Sequence, residues 1–189
     1  HHSAQSGKSI MPRLRPSSAG TTLLELLVVL VIAAVLAALA LPSYGGWIAD
    51  YRLMNHARAL AGHMAIARAE AIKRGYRVDL CKSADLVQCG GPGWDRGWIV
   101  YVDANLDGQI DPDEPVLRRE PAMRDAVSVN ANAPLRNYVS YTDLGVARMG
   151  NGALQMGTFT LCRSGRREVH VVLAHSGRVR IERLLKVCP

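Results

Sequence analysis

The chain has 189 residues, of which 49% are apolar, and its 23 Lys and Arg residues outnumber its 16 Asp and Glu residues to give a net charge of +7. This length leaves room for one globular domain of about 115 residues behind an N-terminal helix, and the sequence gives no sign of a second domain, an internal repeat or a low-complexity tract. The basic excess is uneven, because residues 75–149 carry a net charge of −3 and residues 150–189 a net charge of +5.

The first predicted element is an apolar helix with one carboxylate near its start. Glu25 is followed by sixteen apolar residues, 26–41, and the wider segment 21–48 is long enough for a membrane helix. Arg13 and Arg15 precede it, which favours a cytoplasmic position for this end. A lone acidic side chain in a bilayer costs several kcal/mol, so Glu25 is predicted to be functional.

The position of Gly20 distinguishes this segment from a secretory signal peptide, in which the cleavage site follows the apolar core. Here Gly20 precedes the core, and Gly20-Thr21-Thr22-Leu23-Leu24-Glu25 resembles the type IV prepilin signature. The resemblance implies that a prepilin peptidase cleaves between Gly20 and Thr21 and methylates the new amine. It also implies that Glu25 pairs with the N-terminus of a neighbouring subunit. The alternative is a signal anchor with an incidental Glu.

On the prepilin interpretation, residues 11–20 are the leader and residues 21–48 are the transmembrane and filament-core helix. Residues 49–189 are then the periplasmic head, which includes the amphipathic half of the helix. Residues 1–10 are expected to be a tag or another non-native extension. The resemblance places the protein in the inner membrane as a single-pass protein before assembly into an extracellular pilus with other major and minor pilins.

The helical pattern continues beyond the membrane segment, with a kink expected at Pro42 and a C-terminal end near Gly75. Apolar residues at three- and four-residue spacing predict one face packed on a sheet: Met54, Ala57, Leu60, Ala61, Met64, Ala67, Ala71 and Ile72. Strands are predicted at 77–81, 98–102, 115–119, 127–130, 158–162, 168–175 and 178–185. The predicted fold is α+β and type IV pilin-like, with a long kinked N-terminal helix packed on an antiparallel sheet.

The four cysteines, Cys81, Cys89, Cys162 and Cys188, allow three disulfide connectivities. They form no Cys-x-x-Cys motif, which argues against a metal or thioredoxin-like site. A periplasmic head lies in a compartment where disulfides persist. The favoured pairing joins Cys81 to Cys89 across a short Gly-rich loop and Cys162 to Cys188.

The basic C-terminal region contains an alternation that indicates a strand with one charged face. In residues 177–181, Gly-Arg-Val-Arg-Ile, Val179 and Ile181 fall on one face and Arg178 and Arg180 on the other. The two arginine stems are then about 6.6 Å apart along the strand, a spacing suited to neighbouring phosphates. Charge alone adds four auxiliary candidates: Arg163, Arg166, Arg167 and Lys186.

Three segments together resemble the GspH/FimT group of minor pilins and pseudopilins. They are residues 94–103, Trp-Asp-Arg-Gly-Trp-Ile-Val-Tyr-Val-Asp, the Asn/Asp/Gly-rich loop that follows, and the Gly-Arg-x-Arg of residues 177–180. The last resembles the DNA-binding motif of the FimT-type members, which bind incoming DNA during natural transformation. The resemblance therefore implies that Gly177, Arg178 and Arg180 form a site for double-stranded DNA.

Residues 103–114 match the full pattern of a calcium-binding loop. Gly108 occupies position six, and positions 1, 3, 5, 7, 9 and 12 fall on Asp103, Asn105, Asp107, Gln109, Asp111 and Glu114. The flanking residues predict strands instead of the helices of an EF-hand, and Asp/Asn/Gly-rich hairpin turns also occur without metal. The sequence is compatible with a calcium site and with a metal-free turn, and it indicates no other cofactor.

An enzyme is not expected, because the sequence lacks a nucleophile elbow, a Walker loop, His-Glu-x-x-His and Gly-x-Gly-x-x-Gly. Two functions are left. In the first, a minor type IV pilin binds double-stranded DNA non-specifically through a C-terminal basic hairpin during natural transformation. In the second, a structural minor pilin, or a GspH-like pseudopilin of type II secretion, primes or caps a filament without binding DNA. The basic hairpin favours the first, because a structural cap has no need of paired exposed arginines.

Overall fold

A computed structural model of the chain describes residues 22–189, apart from the side chains of residues 39–44. The predicted extension and leader, residues 1–20, lie outside the described residues. Helix α1 spans Leu23–Arg74 and ends where the sequence predicted, one residue before Gly75. The described residues divide into two compact units, with the boundary between Ser43 and Tyr44. The side chain of Pro42 is not among those described, so the expected kink stays a prediction.

The described part of the first unit is the beginning of α1. Thr22 caps the helix, because its Oγ1 accepts a hydrogen bond from the backbone N–H of Glu25 at 3.3 Å. The side chains of residues 22–38 are exposed, and most of them are Leu, Val, Ile or Ala. Among the described residues, no helix combines the length and the apolar character that crossing a membrane requires.

The second unit contains the rest of α1 and eight strands arranged in two antiparallel sheets of four. The first sheet has the order β3-β2-β1-β5 and the second the order β4-β6-β7-β8. The sequence predicted the antiparallel arrangement but did not divide the strands between sheets. The strands are β1 (Arg77–Lys82), β2 (Gly97–Asp103), β3 (Val116–Pro121), β4 (Ser128–Ala131), β5 (Tyr138–Tyr141), β6 (Gly157–Cys162), β7 (Arg167–Leu173) and β8 (Val179–Val187).

Strand β5 is the element that the sequence patterns missed. It has four residues, Tyr-Val-Ser-Tyr, and pairs with β1 so that Tyr141 lies opposite Val78. Four residues are too few for a polar–apolar alternation to stand out, and this strand is almost entirely buried. Its Tyr and Val residues were the available signal, because both are enriched in strands.

One face of α1 forms a common core with both sheets. The buried residues of this face are Leu53, Met54, Ala57, Leu60, Met64, Ala67 and Ala71. They confirm the predicted stripe except at its borders, where Ala61 is half-buried and Ile72 is exposed. One helical step turns the chain by 100°, so Ile72 leaves the face that Ala71 occupies.

Both disulfides join the cysteines that the sequence analysis favoured, Cys81 to Cys89 and Cys162 to Cys188. The second bond encloses a segment with a sequence separation of 26 residues, which contains the whole β7–β8 hairpin. The backbone N–H of Cys188 donates to the carbonyl of Arg166 at 2.8 Å, so the end of β8 is also hydrogen-bonded to the β6–β7 turn.

Candidate nucleic-acid interface

The turn between β7 and β8 positions the predicted DNA-binding motif. The N–H of Gly177 donates to the carbonyl of Ala174, and the N–H of Ala174 donates to the carbonyl of Arg178, both at 2.9 Å. Gly177 has φ +77°, and a Cβ atom here would collide with the carbonyl oxygen of Gly145. Gly177 therefore has a structural role, because it allows the turn to pack against the β5 side of the head.

Arg178 and Arg180 both project to solvent from this hairpin, whereas Val179 and Ile181 pack against the core. This is the alternation that the sequence predicted. Arg178 lies one residue before β8, which begins at Val179. Within the described residues, no acidic side chain pairs with Arg178.

Arg180 has an acidic neighbour that the sequence analysis overlooked. Its Nε lies 2.5 Å from Oε1 of Glu182, and the two side chains are 60% and 42% exposed. The available signal was the same alternation that located the arginines, because residues two apart in a strand share a face. The exposed face of the hairpin is therefore mixed in charge.

The auxiliary cations lie at the opposite end of β8, where Lys186 is about 20 Å from Arg180 at 3.3 Å per residue. Two of them are engaged within the protein. Arg166 donates from Nη1 to the carbonyl of Gly46 at 3.1 Å and lies 3.6 Å from Asp50, and Lys186 lies 2.8 Å from Glu168. The hydrogen bond from Lys186, together with one from His170, lowers the pKa of Glu168.

A second basic surface emerges at this end, and it includes a residue that charge patterning did not select. Arg183 lines a shallow hollow together with Arg166 and Arg167. By alternation Arg183 belongs to the inward face of β8, and it lies opposite the buried Val169. It is nevertheless exposed, because it lines the open hollow between β8 and the Leu53 region of α1. Arg163, in the β6–β7 turn, completes the auxiliary set.

Of the residues predicted to act in processing and assembly, the structure describes only Glu25. Gly20 and Thr21 lie outside the described residues. Glu25 is exposed in the first turn of α1, where a carboxylate interacts favourably with the positive end of the helix dipole.

The predicted calcium loop connects β2 to β3. Asp103 and Glu114 are buried at its two ends, and burial raises the pKa of Asp103. Within residues 22–189, one group of three or more His, Cys, Asp or Glu ligand atoms converges within 4.8 Å, namely Cys162, Glu168 and Cys188. Its two cysteines form a disulfide and offer no thiolate.

The motif Trp94-Asp95-Arg96-Gly97-Trp98 lies mostly inside the head and stabilises it. Trp94 donates from Nε1 to the carbonyl of Leu135 at 3.0 Å, and Trp98 donates from Nε1 to Nδ1 of His63 at 2.9 Å. Both indole rings are fully buried. Trp94 and Trp98, which contributed to the family resemblance, are therefore structural, whereas Arg96 is exposed.

A long N-terminal helix packed on antiparallel sheets is the architecture of a type IV pilin. Residues 56–177 match the family described as Type II transport protein GspH, and residues 15–41 match the Prokaryotic N-terminal methylation motif. The chain belongs to the GspH family and is a minor pilin or pseudopilin of the GspH/FimT kind. The family match includes Gly177 but ends before Arg178 and Arg180.

Solved structures show the same fold. The crystal structure of the type IV minor pilin FimU from Pseudomonas aeruginosa PAO1, in space group P21, has a TM-score of 0.55 and 19% identity, covering 72% of this chain and 92% of that chain. The FimU structure in space group P65 has a TM-score of 0.52 and 18% identity, covering 68% and 91%. At these identities the likeness concerns the fold alone. No curated protein sequence matches the chain.

Proposed function

We propose that this minor pilin binds double-stranded DNA without sequence preference through Arg178 and Arg180, and that it acts in natural transformation. The observation that carries the proposal is the exposure of both arginines beside the β7–β8 turn. Two residues of extended chain separate their stems by about 6.6 Å. Arginine stems at this spacing allow contacts to successive phosphates, which provide sequence-independent affinity.

The Arg180–Glu182 pair is compatible with this role. Exposed ion pairs contribute about 0–1 kcal/mol, so a DNA phosphate can replace the Glu182 carboxylate at small cost. Base stacking is not expected, because Phe159 is the only Phe, Tyr or Trp in residues 150–189 and is fully buried. Binding should therefore be electrostatic and weaken steeply as the salt concentration rises.

The proposal includes a route to the filament. A prepilin peptidase would cleave after Gly20 and methylate Thr21, and α1 would hold the protein in the inner membrane with the head in the periplasm. Glu25 would then pair with a neighbouring pilin during assembly. The methylation motif at residues 15–41 supports processing, and two disulfides support an oxidising compartment.

A second function is favoured by the internal pairing of the basic residues. Arg180, Arg166 and Lys186 each contact an acidic side chain of the protein itself. A structural minor pilin, or a pseudopilin of type II secretion, would use such pairs to hold its sheet and would not need DNA. Under this alternative the protein primes or caps the filament.

The two functions are distinguished by DNA binding of the full chain in neutral detergent. Fluorescence anisotropy with a labelled duplex at low salt would compare wild type with Arg178→Gln/Arg180→Gln. Arg163→Gln/Arg167→Gln is the matched control, because it removes the same charge at the other end of the hairpin. We expect at least tenfold weaker binding for the first variant, a salt slope reduced by about two units, and less than threefold weakening for the control.

If the two double variants weaken DNA binding equally, binding depends on net charge and not on the motif formed by Arg178 and Arg180. If wild type does not bind DNA at low salt, the DNA-binding function is excluded and the structural function is the one supported. In cells, the Arg178→Gln/Arg180→Gln variant should lose transformation and retain piliation, whereas loss of filaments with unchanged transformation would favour the structural role.

A further inference from the structure

The β2–β3 loop, residues 103–114, begins with a buried carboxylate that accepts no hydrogen bond. The side chain of Asp103 is 0% exposed, and neither of its oxygens has a hydrogen-bond donor. The backbone N–H groups of Leu106 and Gly108 face this carboxylate without reaching hydrogen-bond geometry, so it points into the loop. A buried ionisable group left in this state costs free energy unless a ligand completes its environment.

The charges beneath the loop do not balance. Asp79, Asp103 and Glu114 are all buried, and Arg77 is the basic side chain that faces them. Arg77 is committed to Asp79, to which Nε and Nη2 donate at 2.9 and 3.1 Å. Its Nε is 3.4 Å from Asp103. Asp79 and Asp103 therefore share one guanidinium, and among the described residues no basic side chain pairs with Glu114. This leaves an excess of negative charge that a divalent cation would offset.

We propose that the β2–β3 loop binds one calcium ion through the side chains of Asp103, Asn105, Asp107, Asp111 and Glu114 and the backbone carbonyl of Gln109. These residues occupy positions 1, 3, 5, 9, 12 and 7 of a twelve-residue calcium loop. Gly108 is at position six, where the sharp turn requires glycine, and has φ +75°. This assignment is independent of DNA binding.

The contacts inside the loop indicate where the cation would lie. Nδ2 of Asn105 stands between two carboxylates, 3.2 Å from Oδ2 of Asp107 and 2.8 Å from Oδ2 of Asp111. A partial positive charge thus bridges positions 5 and 9. Calcium would replace this NH₂ group once the Asn105 amide rotates to present its oxygen. The exposed Asp107 carboxylate and the half-buried Asp111 carboxylate would then bind the ion in place of the amide.

Glu114 is already oriented toward the start of the loop. Its Oε1 accepts from the N–H of Ala104 at 2.8 Å, and its Oε2 accepts from the N–H of Asp111 at 3.3 Å. Position 12 supplies a bidentate carboxylate in loops of this kind. With Asp103 and Glu114 fixed in the head and three ligands on the exposed part, the loop should bind at the modest affinity of extracellular modules, about 10⁻⁴–10⁻³ M.

The test is calorimetric titration of CaCl₂ into the EDTA-treated full chain in detergent, with thermal unfolding of the head measured in parallel. Wild type should bind one calcium ion and melt at a higher temperature with 10 mM CaCl₂, whereas MgCl₂ at the same concentration should have little effect. Asp107→Ala, an exposed substitution, should weaken binding at least tenfold without changing the melting temperature in EDTA. Asp113→Ala, an exposed non-ligand in the same loop, is the matched control and should bind within twofold of wild type.

The proposal is overturned if wild type shows neither heat nor a melting shift with calcium. It is also overturned if magnesium acts equally, or if Asp113→Ala and Asp107→Ala weaken binding to the same extent, because either result would indicate non-specific attraction to acidic side chains. DNA binding by Arg178 and Arg180 can fail or succeed without changing any of these outcomes.

Discussion

Arg180 and Glu182 form an ion pair on the exposed face of β8, with Nε and Oε1 2.5 Å apart. The arrangement places a carboxylate beside one of the two arginines proposed to contact DNA. Removing that carboxylate therefore tests the interface in the opposite direction from removing the arginines.

Glu182→Gln should strengthen DNA binding about threefold at low salt, because an exposed pair of this kind holds Arg180 by roughly 0.6 kcal/mol. Anisotropy titration measures the change. Asp50→Asn is the matched control, since it releases Arg166 at the other end of the hairpin. An equal gain for Asp50→Asn would show that binding is not localised at the β7–β8 turn.

Gly177→Ala should destabilise the head by about 2–4 kcal/mol, because the new Cβ combines left-handed backbone strain with a collision against the Gly145 carbonyl. Gly165→Ala is the matched control. Gly165 has φ +71°, but no atom lies within 4 Å of an added Cβ, so it should cost about 1 kcal/mol. Urea unfolding measures both, and equal losses would contradict the role assigned to the Gly145 contact.

The hydrogen bond between Trp98 and His63 should make the stability of the head sensitive to acid. Burial lowers the pKa of His63 below its ordinary value of 6.5, so the unfolded chain binds a proton where the folded protein does not. The contribution of neutral His63 to the stability of the head should be fully present above about pH 6.5. It should fall as the pH decreases toward the lowered pKa. Protonation of Nδ1 would leave the buried indole N–H of Trp98 without an acceptor, at a cost of about 1–3 kcal/mol.

His63→Gln tests this prediction, because a glutamine oxygen can accept from Trp98 without titrating. Its loss of melting temperature between pH 7 and pH 5.5 should be smaller than that of wild type. Some loss should persist, because burial also lowers the pKa of His56. The exposed His175→Gln is the control and should follow wild type. An unchanged pH response in His63→Gln would exclude this hydrogen bond as the cause.

Glu25→Ala should leave cleavage after Gly20 intact but reduce incorporation into filaments to a small fraction of wild type, because the proposed pairing with a neighbour's amine is lost. Immunoblots of sheared filaments and of membranes measure the two steps. Leu24→Ala is the control for a substitution in the same exposed turn. Normal incorporation of Glu25→Ala would contradict the assembly role.

The sequence was sufficient for the class of the fold and for the helix face, because Leu60, Met64 and Ala67 repeat at the period of a helix that packs on a sheet. It was insufficient for the division into two sheets. That division depends on which strands pair. Strand β5 pairs with β1 so that Tyr141 lies opposite Val78, 63 residues earlier in the chain, and no local pattern encodes a pairing over that distance.

The basic residues illustrate the same limit at the candidate site. Alternation correctly put Arg178 and Arg180 on the exposed side, because it depends only on neighbours within one strand. Arg166, in contrast, contacts Gly46 and Asp50 of α1, and Gly46 precedes it by 120 residues in the chain. Contacts between distant elements of this kind decide which cations are available, and charge counting cannot detect them.

The Cys162–Cys188 bond has a mechanical consequence. In the second sheet β8 is an edge strand, hydrogen-bonded only to β7, and a tension applied at the β7–β8 turn would tend to peel it away. Cys162 belongs to β6, so the bond fastens the far end of β8 to the strand beyond β7. If DNA is held at this turn, as proposed, a pull on the DNA would act against a covalent anchor, and peeling would stop at the bond.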